Sequence, residues 1–325
     1  MSKGNNGKDA VAVTIDSFGY TQLKSRRDAA EQETKMDSVK NARFRELLNR
    51  PGLIVAGVAY DALSARILDQ AGFELLAMGG NSTMASLIGY PDLGIATQTE
   101  MIGRARLIAA RVDAPMYCDA DTGYGDLPSI RRTVVDYEAA GVSGIHLEDQ
   151  TMPKKCGAMA GVTVIPVEQM LDKIKVAVNS RKDPNFIIIA RTDCYNTLGI
   201  DESIRRCKLF YEAGADVVMP ENIKTKAEWA KLGREMARCG IPAMIDLIDD
   251  DQISWSNKEC EEMGFKIACR GMYTILAVTQ FLKDLAEDYK KTGSAANYVD
   301  KCMNIRDYEK ILGIEKEQNI RELIK

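Results

Sequence analysis

The sequence carries one histidine in 325 residues, His146. Proton transfer elsewhere must fall to cysteine, tyrosine, lysine or a carboxylate. No apolar run approaches the ~18 residues of a membrane span, which excludes a transmembrane helix. No basic block is long enough to track a phosphate backbone: 43 Lys and Arg face 47 Asp and Glu, a net charge of −4. Nucleic acid is therefore not an expected partner. The eight cysteines include no Cys-x-x-Cys pair, so reduced thiols in a cytoplasmic protein are expected. The N-terminal segment lacks the apolar core of a secretory signal, and residues 1–21 read as a loose tail.

What is present, 46% apolar and 28% charged residues, describes an ordinary globular chain, long enough for two domains or for one alpha/beta barrel. Residues 22–49 carry apolar positions at helical spacing and stop at Pro51-Gly52, a helical preface. Eight short apolar runs rich in beta-branched residues follow: 53–59, 75–78, 116–118, 144–147, 186–190, 217–219, 243–245 and 266–269. Segments of helical periodicity separate them, at about 30 residues per unit. Three junctions repeat one wording (Gln70-Ala71-Gly72, Ala139-Ala140-Gly141, Glu212-Ala213-Gly214), each a glycine just past a helix end. Eight such units predict an α/β protein, a closed (β/α)8 TIM barrel within residues 22–291, with a C-terminal helical tail over 292–325. An open doubly wound sheet is the runner-up. No Gly-x-Gly-x-x-Gly or phosphate-loop lysine supports its nucleotide-binding form.

In such a barrel the functional face lies where the strands end. Those ends read Tyr60-Asp61, Gly79-Gly80-Asn81-Ser82, Asp119-Ala120-Asp121, Glu148-Asp149, Arg191-Thr192-Asp193, Glu221-Asn222, Asp246 and Arg270. Carboxylates converging on one mouth need a cation to hold them. Asp119 and Asp121 suit Mg2+, or Mn2+, kept partly hydrated, with Glu148 and Asp92 placed to hold metal waters. The bland alternative is that the pair merely caps its turn. Gly79 to Ser82 read as a nest of backbone N–H groups for a carboxylate or enolate oxygen. A guanidinium at Arg191, ending a fully apolar strand, needs a partner, either a substrate carboxylate or Glu221. In the loop Lys154-Lys155-Cys156-Gly157, two lysines before the cysteine favour its thiolate, and the glycine lets the loop close.

These residues resemble the isocitrate lyase and phosphoenolpyruvate mutase superfamily, in particular its methylisocitrate lyase and dimethylmalate lyase branch. The resemblance runs from Phe44 to Tyr289. It is carried by Gly79-Gly80, the segment Tyr90 to Gly94, Asp119 to Gly125, His146 to Gln150, Lys154 to Gly157, Ala190 to Asp193 and Pro220-Glu221. It implies a tetramer with its last helix exchanged between subunits, and a Mg2+-dependent lyase that cleaves a 2-hydroxy dicarboxylate into a 2-oxo acid and a carboxylic acid. Carried over, Asp119 and Asp121 hold Mg2+ with Asp92 and Glu148 in support. Arg191, Glu221 and the amides of Gly79, Gly80 and Asn81 orient the substrate together with the loop residues Lys154 and Gly157, and Cys156 protonates the departing carbanion.

Three positions depart from the branch. A histidine of the loop is Ala158, a lysine is Val162, and the asparagine ending strand seven is Asp246. Loss of two cations and gain of an acid point to a smaller or less charged distal group on the substrate. Oxaloacetate decarboxylases or hydrolases and a phosphoenolpyruvate mutase-like activity are the enzymatic alternatives, and a noncatalytic barrel is the alternative from another class.

Overall fold

The computed structural model describes residues 26–248 and 255–324. The expected loose tail at 1–21 lies outside them. Eight strands occupy Ile54–Ala59 (β1), Leu75–Met78 (β2), Met116–Asp119 (β3), Gly144–Glu148 (β4), Ile187–Thr192 (β5), Val217–Pro220 (β6), Met244–Asp246 (β7) and Ile267–Cys269 (β8). All ladders are parallel, in the order β6-β5-β4-β3-β2-β1-β8-β7. A parallel bridge between Val218 and Ala243 joins the two ends and closes the barrel. The predicted (β/α)8 architecture is the observed one.

Period-two alternation divides the strand residues into two sets. One set packs outward against the surrounding helices. The other fills the barrel with Ile54, Ala56, Val58, Leu75, Ala77, Tyr117, Ile187, Ile189, Val217, Met219, Met244, Ile267 and Cys269. The preface is helix α1 (Arg26–Asn49), whose Phe44 and Leu47 belong to this inner cluster and plug the barrel's N-terminal end. Burying the Phe44 ring alone is worth about 2–3 kcal/mol.

The barrel helices are α2 (Ala62–Gln70), α3 (Gly80–Ile88), α4 (Gln98–Ala109), α5 (Leu127–Glu138), α6 (Val167–Ser180), α7 (Tyr195–Glu212), α8 (Lys226–Arg238), α9 (Asn257–Glu262) and α10 (Tyr273–Thr292). Helix α3 occupies a segment read as a nest, and α7 is broken at Gly199 (φ 78°). Helix α10 has no buried residue, and Tyr273, Leu276, Phe281, Leu282 and Tyr289 stand exposed along it. The tail continues through α11 (Ile305–Leu312) and α12 (Ile314–Gln318), tied back to α2 where Arg66 and Gln70 donate to the Ile311 carbonyl. Among the described residues no helix is long and apolar enough to cross a membrane.

Candidate active site

The inward alternation that fills the barrel with apolar side chains ends in a polar layer. Two residues beyond Tyr117 comes Asp119; beyond His146, Glu148; beyond Ile189, Arg191; beyond Met219, Glu221; beyond Met244, Asp246. These five side chains line one cavity with Gly79, Gly80, Asn81, Asp92, His146, Lys154, Cys156 and Gly157. Twelve of the thirteen expected site residues therefore meet at one place. The thirteenth, Asp121, is buried beside it and paired with Lys154. Lys155, Ala158, Ile248, Gly271 and Met272 complete the wall. Of these, Ile248, Gly271 and Met272 carried no sequence signal, being ordinary residues that follow β7 and β8.

Asp61 and Arg270 do not line the cavity. Asp61 caps α2 by accepting from Ser64 N at 2.7 Å. Arg270 points to Asn257 Oδ1 (3.1 Å) and the Trp255 carbonyl (2.6 Å).

The acids are held in distinct ways. Asp119 Oδ1 accepts from the Asp121 amide at 2.8 Å, so the turn-capping role is present as well. The expected nest is the first turn of α3: Gly79 is its N-cap, with its own amide on the Ala59 carbonyl (3.3 Å). The amides that open α3 have no acceptor inside the helix, and Gly80 packs against the Asp119 carboxylate. A Cβ at Gly80 would collide with Asp119 Oδ2, so only glycine allows this approach. Lys154 Nζ lies 2.9 Å from Asp92 Oδ1 and also contacts Asp121 Oδ1. Asp92 Oδ1 and Asp121 Oδ1 thus have the Lys154 ammonium as their partner, and Glu148 Oε1 is buried without a hydrogen-bond donor.

Burial sets the protonation pattern. It pushes Asp121 up to about 6 against the pull of Lys154, Glu221 up to about 8 against Arg191, and Glu148 well above the carboxylate range. Asp119 goes the other way, to about 2, because His146, Lys154 and Arg191 outweigh its burial. His146 itself is driven down to about 4 by burial, so the ring is neutral at physiological pH. This is the environment in which a hard cation with oxygen ligands is favoured, since it satisfies bare carboxylate oxygens and lowers their mutual repulsion. Among the described residues no three His, Cys, Asp or Glu side chains form a ready cage. Mg2+ does not need one, as it keeps several waters and takes one or two carboxylates.

Arg191 meets its expected partner Glu221 and has a nearer one besides. Its guanidinium makes a two-pronged pair with Asp193 (Nε–Oδ2 3.0 Å, Nη2–Oδ1 2.8 Å), while Glu148 and Glu221 stand at 3.5 and 3.6 Å. Asp193, not singled out from sequence, is the orienting group. It is anchored in turn through Asp149, which accepts from the Asp193 amide (3.0 Å), Thr192 Oγ1 (2.7 Å) and Arg206 Nη1 (2.7 Å).

The loop after β4 folds down over the cavity. Thr151 and Thr163 clasp its base, Gln150 brackets the Lys155 backbone, the Cys156 amide donates to the Asp92 carbonyl (2.9 Å), and Asn222 donates to the Gly157 carbonyl. The structure overturns the thiolate expectation for Cys156. Lys154 turns into the acid cluster and Lys155 donates to the Ala160 carbonyl, so neither lysine serves the sulfur. Burial pushes the thiol above its ordinary value, more than the hydrogen bonds from Ala158 and Asn81 pull it down. A protonated thiol is the form a proton donor needs.

The family model for phosphoenolpyruvate phosphomutase matches residues 44–290. The chain belongs to that family. Within it, the chain is 36% identical over 282 residues to 2,3-dimethylmalate lyase of Eubacterium barkeri, covering 87% of this chain and 96% of the relative. Among solved structures, oxaloacetate acetylhydrolase in complex with 3,3-difluorooxalacetate superposes with a TM-score of 0.82 at 31% identity, covering 88% of this chain and 97% of that one. Phosphonopyruvate hydrolase in complex with oxalate and Mg2+ superposes with a TM-score of 0.78 at 26% identity, covering 87% and 98%. This family member carries the cysteine loop and the acid cluster in one cavity.

Proposed function

We propose that the chain is a Mg2+-dependent carbon–carbon lyase acting on a small 2-hydroxy dicarboxylate of the 2-alkylmalate or methylisocitrate type. The observation that carries this is the Cys156 thiol, its pKa raised by burial, closed over a cluster of buried carboxylates in which Glu148 Oε1 has no donor. Similarity to 2,3-dimethylmalate lyase supports it. Asp119 and Asp121, backed by Asp92 and Glu148, would hold Mg2+, with Mn2+ able to replace it. When bound, the ion stabilises negative charge on the oxygens of the 2-oxo acid product.

The chain's own residues supply the rest. Arg191, oriented by Asp193, and the opening amides of α3 bind the carboxylate of the forming 2-oxo acid. A base takes the proton of the substrate hydroxyl, whose C–O bond becomes a carbonyl, and that proton is returned to the Cys156 sulfur at the end of the turnover. The neighbouring C–C bond breaks, its electron pair passing to the carbon alpha to the second carboxylate. Cys156 S–H then gives that carbon a proton. The closed loop keeps water from the carbanion. The retained alternative is hydrolysis or decarboxylation of oxaloacetate, favoured by the fit to oxaloacetate acetylhydrolase.

The exposed apolar side chains of α10 support a homo-oligomer. A cytoplasmic location goes with this reading, as eight cysteines without a Cys-x-x-Cys pair suit a reducing compartment. A proton NMR time course with Mg2+, with and without chelator, against 2-alkylmalates, methylisocitrate and oxaloacetate tests the activity. Chelator-sensitive release of a 2-oxo acid with a simple carboxylic acid is expected. Oxalate or carbon dioxide from oxaloacetate alone would replace the lyase by the alternative.

A further inference from the structure

The turn that carries Asp119 and Asp121 is an unfavourable piece of backbone. Asp121 (φ 50°) and Tyr124 (φ 58°) both occupy the left-handed region, and Gly123 (φ 88°) and Gly125 (φ 149°) extend it. Such a conformation persists only where the surroundings fix it. Here every carbonyl from Asp119 to Gly123 is taken. Two partners are backbone: Gly123 N donates to Ala120 O (2.9 Å) and Glu148 N to Asp121 O (3.0 Å).

The other three are side chains reaching in from two helices behind the turn. Tyr137 Oη donates to Asp119 O at 3.0 Å, Lys173 Nζ to Thr122 O at 3.0 Å and Thr133 Oγ1 to Gly123 O at 3.1 Å. Thr133 and Tyr137 lie four residues apart on α5, both fully buried. Each is held by a further partner: Gln98 Nε2 donates to Thr133 Oγ1 (3.2 Å), and the Tyr124 hydroxyl meets that of Tyr137 (3.1 Å). None of these residues lines the cavity. Docking α5 needs only its apolar positions, which Ile130 and Val134 already fill. The hydroxyls do something that packing does not.

We infer that Thr133 and Tyr137, with Lys173 as a third brace, are positioning residues for the acid cluster. They lock the Asp119–Gly125 turn in its left-handed form and thereby set the affinity of the site for a divalent cation. The inference rests on the metal site of the proposed function. It is a second layer of hydrogen bonds acting on would-be ligands through their backbone rather than their carboxylates.

The test is Mn2+ binding to the full-length protein, read from the electron paramagnetic resonance signal of free Mn2+, beside thermal melting. No substrate is needed. Thr133→Val and Tyr137→Phe keep volume and remove one hydroxyl each. Each is expected to raise the Mn2+ Kd by about 10-fold, while Thr133→Ser, which keeps the hydroxyl, stays within about twofold of the parent. An unchanged Kd in both hydroxyl-less variants, with or without a lower melting temperature, would overturn the inference and leave the braces a folding role only. Should Tyr137→Phe fail to fold, the Val and Ser variants at Thr133 decide alone. A parent protein without saturable Mn2+ binding, or with binding untouched by Asp121→Ala, would remove the metal site itself and the inference with it.

Discussion

Replacing Gly157 by alanine adds one methyl group at the point where the loop meets the arginine. The new Cβ would collide with Arg191 Nη2, 2.5 Å from Asp193 Oδ1 and 3.0 Å from Asn222 Nδ2. Something must yield, and magnitudes decide what. Parting a buried, two-pronged ion pair leaves uncompensated charge and costs about 3–5 kcal/mol. Lifting the loop forfeits the Asn222 contact to Gly157 and the Cys156 contact to Asp92, each worth about 1 kcal/mol net. The loop therefore lifts, and Arg191 and Asp193 stay paired.

Three measurements follow from that choice. The melting temperature falls by only a few degrees, as expected for at most about 2 kcal/mol. Tryptic cleavage at Lys155, whose side chain only donates to the Ala160 carbonyl, accelerates by about 30-fold, the population change that about 2 kcal/mol of local opening produces. Chelator-sensitive release of a 2-oxo acid from 2,3-dimethylmalate drops by about 100-fold, because Cys156 is displaced by about an ångström from the reacting carbon. A melting temperature lower by more than about 10 °C, with tryptic cleavage unchanged, would show that the ion pair had parted instead and refute the reasoning.

Cys156 must be protonated to act, and burial raises its pKa. Turnover is thus expected to persist through neutral pH and decline only as pH rises past the ordinary thiol value of about 8.5; an alkaline limb near 7 that is lost in Cys156→Ser would contradict the protonated donor. The acid at Asp246 opposes the additional carboxylate that methylisocitrate carries on its distal half, so dimethylmalate should be turned over better than methylisocitrate. Asp246→Asn should then shift the kcat/KM ratio toward methylisocitrate by about 10-fold, the scale of one relieved like-charge contact, and an unmoved ratio would clear Asp246 of that role. Sedimentation velocity should find an oligomer, and a double Leu276→Asp, Leu282→Asp variant a smaller species; a monomeric parent would leave the α10 face without a partner.

The barrel was legible because its strands are buried on both faces and so write themselves as short, nearly continuous apolar runs. The run 186–190 marks β5 within a residue or two at each end. Helix α3 was not legible: Gly80-Asn81-Ser82-Thr83 holds poor helix formers, and the two glycines resemble a phosphate or carboxylate loop. Tertiary packing overrides that propensity, since Ser82, Thr83 and Met84 are buried. The plugging role of α1 was equally silent, because Phe44 and Leu47 look like any amphipathic stripe until the barrel end they fill is known.

The polar layer was legible for a related reason. An inward strand position is apolar unless something forces otherwise, and Asp119, Glu148, Arg191, Glu221 and Asp246 break that rule at or just past the ends of their strands. What the sequence could not show was which groups meet. Arg191 pairs with Asp193 two residues away along the same strand end, an arrangement of alternate residues that depends on Thr192 turning outward to Asp149. Lys154 and Lys155 are adjacent to Cys156 in the chain, yet successive side chains in an extended loop diverge, and both ammonium groups leave the sulfur. Sequence proximity to a cysteine thus gave the wrong sign for its acidity, whereas the burial that decides it comes with Asn81 and Asp92 beside it from other parts of the fold. Tyr137 and Thr133 were hidden in the same way: on a helical wheel they continue the apolar face of α5, and only the position of the turn's carbonyls shows that their hydroxyls have somewhere to go.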